Sequence, residues 1–238
     1  MSDPLVRISK LLAARGICSR READSYLERG LVLVAGRPAT LGERVAPDAV
    51  ITLAPAARAR QERRVTILMN KPIGYVSGQA EKGYQTAHVL LTPDRYLGPG
   101  KAARVPADLA IAGRLDIDSQ GLLVLTEDGR VARLLIGGHG IEKEYHVRLA
   151  EPISDHDLRV LAGPLSLDDR ALRPVLVRRL GPETLSLTLT EGRKRQVRRM
   201  VALIGHEVHS LKRVRIGRVN LGRLGPGQWR YLSAGERF

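Results

Sequence analysis

Residues 54–64 split this chain in two. They read Ala-Pro-Ala-Ala-Arg-Ala-Arg-Gln-Glu-Arg-Arg, with no large hydrophobe and no apolar periodicity. Such a stretch offers no stripe to bury and is expected to link two folding units. Before it, Ile8, Leu11 and Leu12 recur at helical spacing as far as Gly16, a residue suited to a helix C-terminal cap. Ser19 and Glu22 have the spacing of a capping box and predict a second helix ending near Gly30. Two short apolar runs, 31–35 and 50–53, are joined through the turn-rich Gly36-Arg37-Pro38, so residues 5–53 should form two helices and a small sheet. Beyond the linker, runs at 65–69, 122–125, 145–149, 172–180 and 184–189 are rich in Val, Leu and Thr and predict strands. Helices are expected at 130–136, 154–161 and 195–204. The fold class expected for the body, residues 65–238, is α+β.

Charge narrows the class of partner. Lys and Arg number 39 against 25 for Asp and Glu, a formal charge of +14. The excess is uneven: residues 1–60, 61–190 and 191–238 carry +4, +1 and +9. A nearly neutral middle between basic ends suggests a body flanked by two surfaces that grip a polyanion. The 43% hydrophobic content is too high for a disordered basic tail. No apolar run is longer than residues 31–35, far short of the roughly 20 residues of a spanning helix. With no visible signal segment, a cytoplasmic location is expected. The single cysteine excludes an internal disulfide framework. Only eight residues are aromatic, so a nucleic-acid surface here would hold phosphates with Arg and Lys more than it stacks bases.

Two segments can carry chemistry. Gly113-Arg114-Leu115-Asp116-Ile117-Asp118-Ser119-Gln120-Gly121 sets two carboxylates in a Gly-bounded loop just before an apolar strand, a rigid place for a catalytic acid. Asp and Ser also serve as plain turn formers, and the spacing alone does not separate the two roles. The second is Glu191-Gly192-Arg193-Lys194-Arg195-Gln196-Val197-Arg198-Arg199-Met200, a basic run opening a helix. Arg198, if placed beside Asp116, would favour the ionised carboxylate. His206 and His209 have no third ligand at a familiar spacing, so no metal site is expected. There is no Gly-x-Ser-x-Gly elbow, phosphate loop or dinucleotide fingerprint, and nucleotide cofactors are not expected.

Residues 5–52 resemble the S4 RNA-binding module through Arg7-Ile8-Ser9-Lys10-Leu11-Leu12, Gly16-Ile17-Cys18-Ser19-Arg20-Arg21-Glu22-Ala23, Gly30, Val34 and Gly36. The resemblance implies structured RNA as the partner, met by Lys10, Arg15, Arg20 and Arg21 on or between the two helices. The body resembles the RsuA/Rlu family of pseudouridine synthases. Gly113-Arg114-Leu115-Asp116 with Ser119-Gln120-Gly121-Leu122-Leu123 is similar to its catalytic motif. Asn70-Lys71-Pro72-Ile73-Gly74-Tyr75-Val76 resembles its first motif, Glu142-Lys143-Glu144-Tyr145 its tyrosine motif, and residues 192–200 its third. The combination of Asp118-Ser119-Gln120-Gly121, Glu142-Lys143-Glu144-Tyr145 and Gly227-Gln228-Trp229-Arg230 is most similar to the RluF branch, which acts on 23S ribosomal RNA and, in some members, a tyrosine tRNA.

The resemblance implies an S4 module followed by a catalytic domain with a mixed, mostly antiparallel sheet. It makes Asp116 the catalytic aspartate, Tyr145 the tyrosine that packs on the target base, and Arg198 the basic partner of the aspartate. Arg114 matches an arginine proposed to displace the target nucleotide, and Arg193, Lys194, Arg195 and Arg199 join the RNA surface. Two departures stand out: Asp108-Leu109-Ala110-Ile111-Ala112 replaces the usual Pro-Val or Pro-Ile approach, and Lys194 stands where many relatives have Asn. The implied reaction needs no cofactor, and the expected assembly is a monomer acting on ribosomal RNA, free or within an assembly particle. Two other readings stay open on the residues. One keeps the chemistry on 16S ribosomal RNA or tRNA alone, and the other is a non-catalytic RNA clamp or assembly factor.

Overall fold

A computed structural model describes residues 4–81, 83–102, 104–137 and 140–238. The first unit opens with β1 (Val6–Arg7) and α1 (Ile8–Ala14), which bury Ile8, Leu11 and Leu12. Gly16 ends the helix at φ +69°, a backbone state open to glycine at little cost, and Ile17 N–H closes the turn on the Leu12 carbonyl at 3.0 Å. The expected capping box starts α2 (Arg20–Glu28): Ser19 Oγ accepts from Glu22 N–H while a Glu22 carboxylate oxygen accepts from Ser19 N–H. Strands β2 (Val32–Val34), β3 (Arg37–Pro38) and β5 (Ile51–Leu53) form a three-stranded sheet, and β4 (Arg44–Val45) pairs with β1.

The stretch read as a linker is a helix, α3 (Pro55–Glu62). Pro55 at its first position presets the helical φ, and Ala57, fully buried, packs into the core of the first unit. One small side chain is all that helix buries, too little to register as a periodic apolar stripe. Its end meets both units. Arg64 pairs with Glu22 and lies 3.8 Å from Asp128, and Gln61 donates to the Ile17 carbonyl. Cys18 lies in this first core at 2% exposure, and burial, followed by the nearby Glu22 charge, pushes its thiol up to about 12. A thiol held that high stays protonated at ordinary pH, and the thiolate is the reactive form. A disulfide reagent should therefore leave Cys18 unmodified in the native protein and label it at once in urea. Labelling at equal rates in the two would show an open first core.

The second unit is built on β6 (Thr66–Lys71), β7 (Ala110–Ile111), β8 (Gln120–Thr126), β9 (Lys143–Leu149), β12 (Leu176–Arg179), β13 (Thr184–Leu189), β14 (Val208–Ile216), β15 (Val219–Asn220) and β16 (Trp229–Tyr231). They form one nine-stranded sheet ordered β12-β13-β9-β14-β8-β6-β16, with β15 on β14 and β7 on β8. Every pairing is antiparallel except β14 with β8. Helices α4 (Gly129–Ile136), α5 (Asp155–Ala162) and α6 (Gln196–Leu203) flank it, and β10 (Ser166–Leu167) and β11 (Arg170–Ala171) form a small hairpin. Leu122 to Leu125 are all fully buried because β8 is covered on both faces. Leu123 and Leu125 join Ile67, Met69 and Trp229 on one side, whereas Leu122 and Val124 join Leu68 and Leu135 on the other. A strand covered twice reads as a continuous apolar run, which is how it shows in the sequence.

The run 172–180, expected as one strand, holds only β12, with β11 ending just before it. No strand was expected at 208–216, yet β14 is the longest strand among the described residues. Its register shifts between Val208 and Ser210 and again between Arg213 and Arg215, and such bulges erase the period-two alternation that marks a strand.

Candidate active site

Across the middle of the sheet, Leu187, Tyr145, Arg213, Gly121 and Lys71 lie side by side on β13, β9, β14, β8 and β6. The loop from Gly113 to Ser119 runs over this row and forms, with the segment 191–197, a cleft of about 850 Å³. Asp116 and Tyr145 both line that cleft, together with Arg114, Lys143, Lys194, Arg195 and Arg213.

The loop is held at six consecutive residues. Arg213 donates to the carbonyls of Gly113, at 3.0 Å, and Arg114, at 3.4 Å, while its Nε reaches the Leu122 carbonyl at 2.8 Å. Ser77 Oγ donates to the Leu115 carbonyl at 2.7 Å and accepts from Leu115 N–H at 2.9 Å. Ser119 N–H closes a turn on the Asp116 carbonyl, Gly74 N–H meets the Ile117 carbonyl, and Arg198 donates to the Asp118 carbonyl at 2.8 Å. A carboxylate on such a backbone is preorganised, since nothing need be ordered when a substrate arrives.

The two carboxylates of the loop part company at that turn. Asp116 lines the cleft, but Asp118 lies outside its lining and meets α6. Arg195 donates to an Asp118 carboxylate oxygen at 2.8 Å, and the same oxygen lies 3.2 Å from Arg198 Nε. The structure thus corrects the expected partnership of Arg198 with Asp116: its guanidinium is spent on the carboxylate and carbonyl of Asp118 and on the Val208 carbonyl. Burial acts to raise the pKa of Asp118, but the Arg195 hydrogen bond and the Arg198 charge outweigh it and hold it below the ordinary aspartate range. Lys71, fully buried, donates to the carbonyls of Pro72 and Tyr75. Burial lowers it to about 8, against the pull of Asp116 and then Asp118.

Several cations expected on the RNA surface are engaged internally. Arg193 donates to the carbonyls of Leu167, Arg170 and Ala171, where it ties down the β10–β11 hairpin. Arg199 makes a two-pronged pair with Asp168, at 2.6 and 3.0 Å. Arg15 donates to the carbonyls of Pro47 and Ala49 and pins the loop between β4 and β5. Lys10, Arg20 and Arg21 stand exposed on α1 and α2, and Arg114 and Lys194 are exposed at the cleft. Ser77 and Arg213 hold the loop without having been singled out in the sequence, and Gly74, quoted there only within the first motif, joins them. Their bonds go to backbone groups some 40 to 100 residues away along the chain, a contact no local pattern encodes.

A model of the RNA pseudouridylate synthase family matches residues 65–203, the stretch that contributes the loop, Tyr145 and α6. The chain belongs to that family. An S4 domain model matches residues 6–51, before the pseudouridine synthase domain. The dual-specificity RNA pseudouridine synthase RluF of Escherichia coli strain K12 is 34% identical over 99% of this chain and 78% of its own. An uncharacterized RNA pseudouridine synthase of Aquifex aeolicus is likewise 34% identical, over 97% of this chain and 92% of its own. The crystal structure of a pseudouridylate synthase superposes with a TM-score of 0.67 at 27% identity, covering 96% of each chain. This pseudouridine synthase is therefore an RNA-modifying isomerase with a mixed α+β fold, and the alternative of an assembly factor without chemistry gives way. Among the described residues, no helix is long and apolar enough to cross a membrane.

Proposed function

We propose that this pseudouridine synthase isomerises uridine in 23S ribosomal RNA and in a tRNA, with Asp116 as the reacting carboxylate. The observation that carries the reading is the presence of Asp116 and Tyr145 in one cleft whose remaining polar lining is dominated by cations. The resemblance of its motifs to the RluF branch supports the choice of RNA, as does the likeness to a synthase named for dual specificity.

The reaction breaks the bond from uracil N1 to ribose C1′ and joins C5 to C1′, the C5 proton being released and N1 gaining one. No atom is otherwise exchanged and no electron is transferred, so the chemistry calls for no redox group. A stacked uridine must first leave the helix, at a cost of roughly a few kcal/mol that phosphate contacts elsewhere offset. Exposed Lys10, Arg20 and Arg21 on the first unit are placed for such contacts, as are Arg114 and Lys194 at the cleft. Inside, Asp116 either adds covalently to ring or sugar or removes a sugar proton to expel the base. Tyr145 holds the freed uracil against its ring, and its phenol is suited to relay the C5 proton.

Tritium release from RNA labelled at uridine C5 tests the reading, with 23S and 16S ribosomal RNA and tRNA presented separately. Release from 23S RNA and from tRNA is the expected result. Release from 16S RNA alone would overturn the choice of substrate and leave the isomerase.

A further inference from the structure

Arg213 is 1% exposed and Ser77 equally so, yet among the described residues neither hydrogen-bonds to another side chain. Burial strips a guanidinium of its hydration, and among the described residues no carboxylate lies at ion-pair distance from this one. What it does instead is bind three carbonyls, two of them in the loop that carries Asp116. Ser77 follows β6, which lies on the other side of β8 from β14, and saturates both backbone groups of Leu115, the residue immediately before Asp116. Arg213 sits at its place in the row because Gly121, next to it on β8, has no side chain: a Cβ there would lie 2.3 Å from the Arg213 carbonyl. A longer residue at 121 would part the two strands and move the guanidinium away from the loop.

We propose that Arg213 and Ser77 are positioning residues for the isomerisation, a two-sided clamp that fixes the backbone at 113–115 and so the direction in which Asp116 enters the cleft. The inference rests on Asp116 as the reacting carboxylate. A lysine at 213 keeps the charge but lacks the planar fork that reaches Gly113 and Leu122 together. An alanine at 77 removes one hydroxyl and leaves Leu115 without either partner.

The test compares wild type with Arg213→Lys, Ser77→Ala and Asp116→Asn on C5-tritiated 23S ribosomal RNA and tRNA transcripts. Single-turnover rate at saturating enzyme, RNA affinity by filter binding and the urea midpoint are measured for each. Displacing a reacting group by about an ångström costs on the order of 100-fold in rate. The clamp variants should lose roughly that much in single-turnover rate while binding RNA as the wild type does, a split that a purely structural role would not produce. Ser77→Ala carries the test if Arg213→Lys does not fold. A folded clamp variant with the wild-type rate, or one weakened only in RNA affinity, overturns the inference. An inactive Asp116→Asn alongside it confines that failure to the clamp, whereas an active Asp116→Asn overturns the reading of the site and the clamp with it.

Discussion

Asp116→Asn is expected to abolish tritium release from RNA while leaving RNA affinity unchanged. The substitution keeps size and hydrogen-bonding capacity but removes the negative charge and the basic lone pairs that either form of the chemistry needs. Loss of a group that adds covalently or moves a proton in the transition state costs at least about 10²–10⁴-fold. Binding should survive, because the exposed cations Lys10, Arg20, Arg21, Arg114 and Lys194 are untouched and the loop backbone remains held by Ser77, Gly74, Arg198 and Arg213. Asp118→Asn is the informative contrast, since that carboxylate faces Arg195 and Arg198 instead of the cleft. If Asp116→Asn retained the wild-type rate and Asp118→Asn lost it, the assignment of the two carboxylates would be reversed.

The largest expected effect on stability is at Gly121. Its φ of +111° belongs to a region that side chains rarely enter, and an added Cβ would also press on the Arg213 backbone, with the carbonyl oxygen at 2.3 Å and the nitrogen at 2.6 Å. Both neighbours are central strands of the nine-stranded sheet, so neither can withdraw without unpairing from the next. Backbone strain and overpacking each cost 1–3 kcal/mol in typical cases, which gives about 3 kcal/mol or more for Gly121→Ala. The unfolding free energy of the second unit should fall by that amount, moving its urea midpoint down by the same energy divided by the m-value, while the first unit, with its own core, keeps its midpoint. An unchanged transition would mean that β8 and β14 are not tightly paired at this point.

How legible this molecule was in its sequence depends on how local each cause is. Ser19 and Glu22 cap α2 as their spacing implied, because a capping box lies within four residues. The loop bearing Asp116 was marked by its glycines and by the apolar run of β8. By contrast, β14 was invisible because two bulges break its alternation, and the helix at 55–62 buries only Ala57. The partner of Arg198 depended on a turn between Asp116 and Ser119 that sends two carboxylates, two residues apart, in different directions. Ser77 and Arg213 escaped notice for a related reason. A side chain that serves only backbone groups leaves no complementary residue elsewhere in the chain.

The internal engagement of Arg15, Arg193, Arg198 and Arg199 bears on how this protein meets RNA in salt solution. Affinity for a polyanion gains from each counterion that a protein cation displaces from a phosphate. A guanidinium already bound to its own chain's carbonyls or carboxylates displaces none unless it first gives up those bonds. The 39 Lys and Arg side chains therefore overstate the number of ions set free on binding. The ionic-strength dependence of the complex follows the smaller set of cations that stand open to solvent, and the remaining arginines stay with the fold.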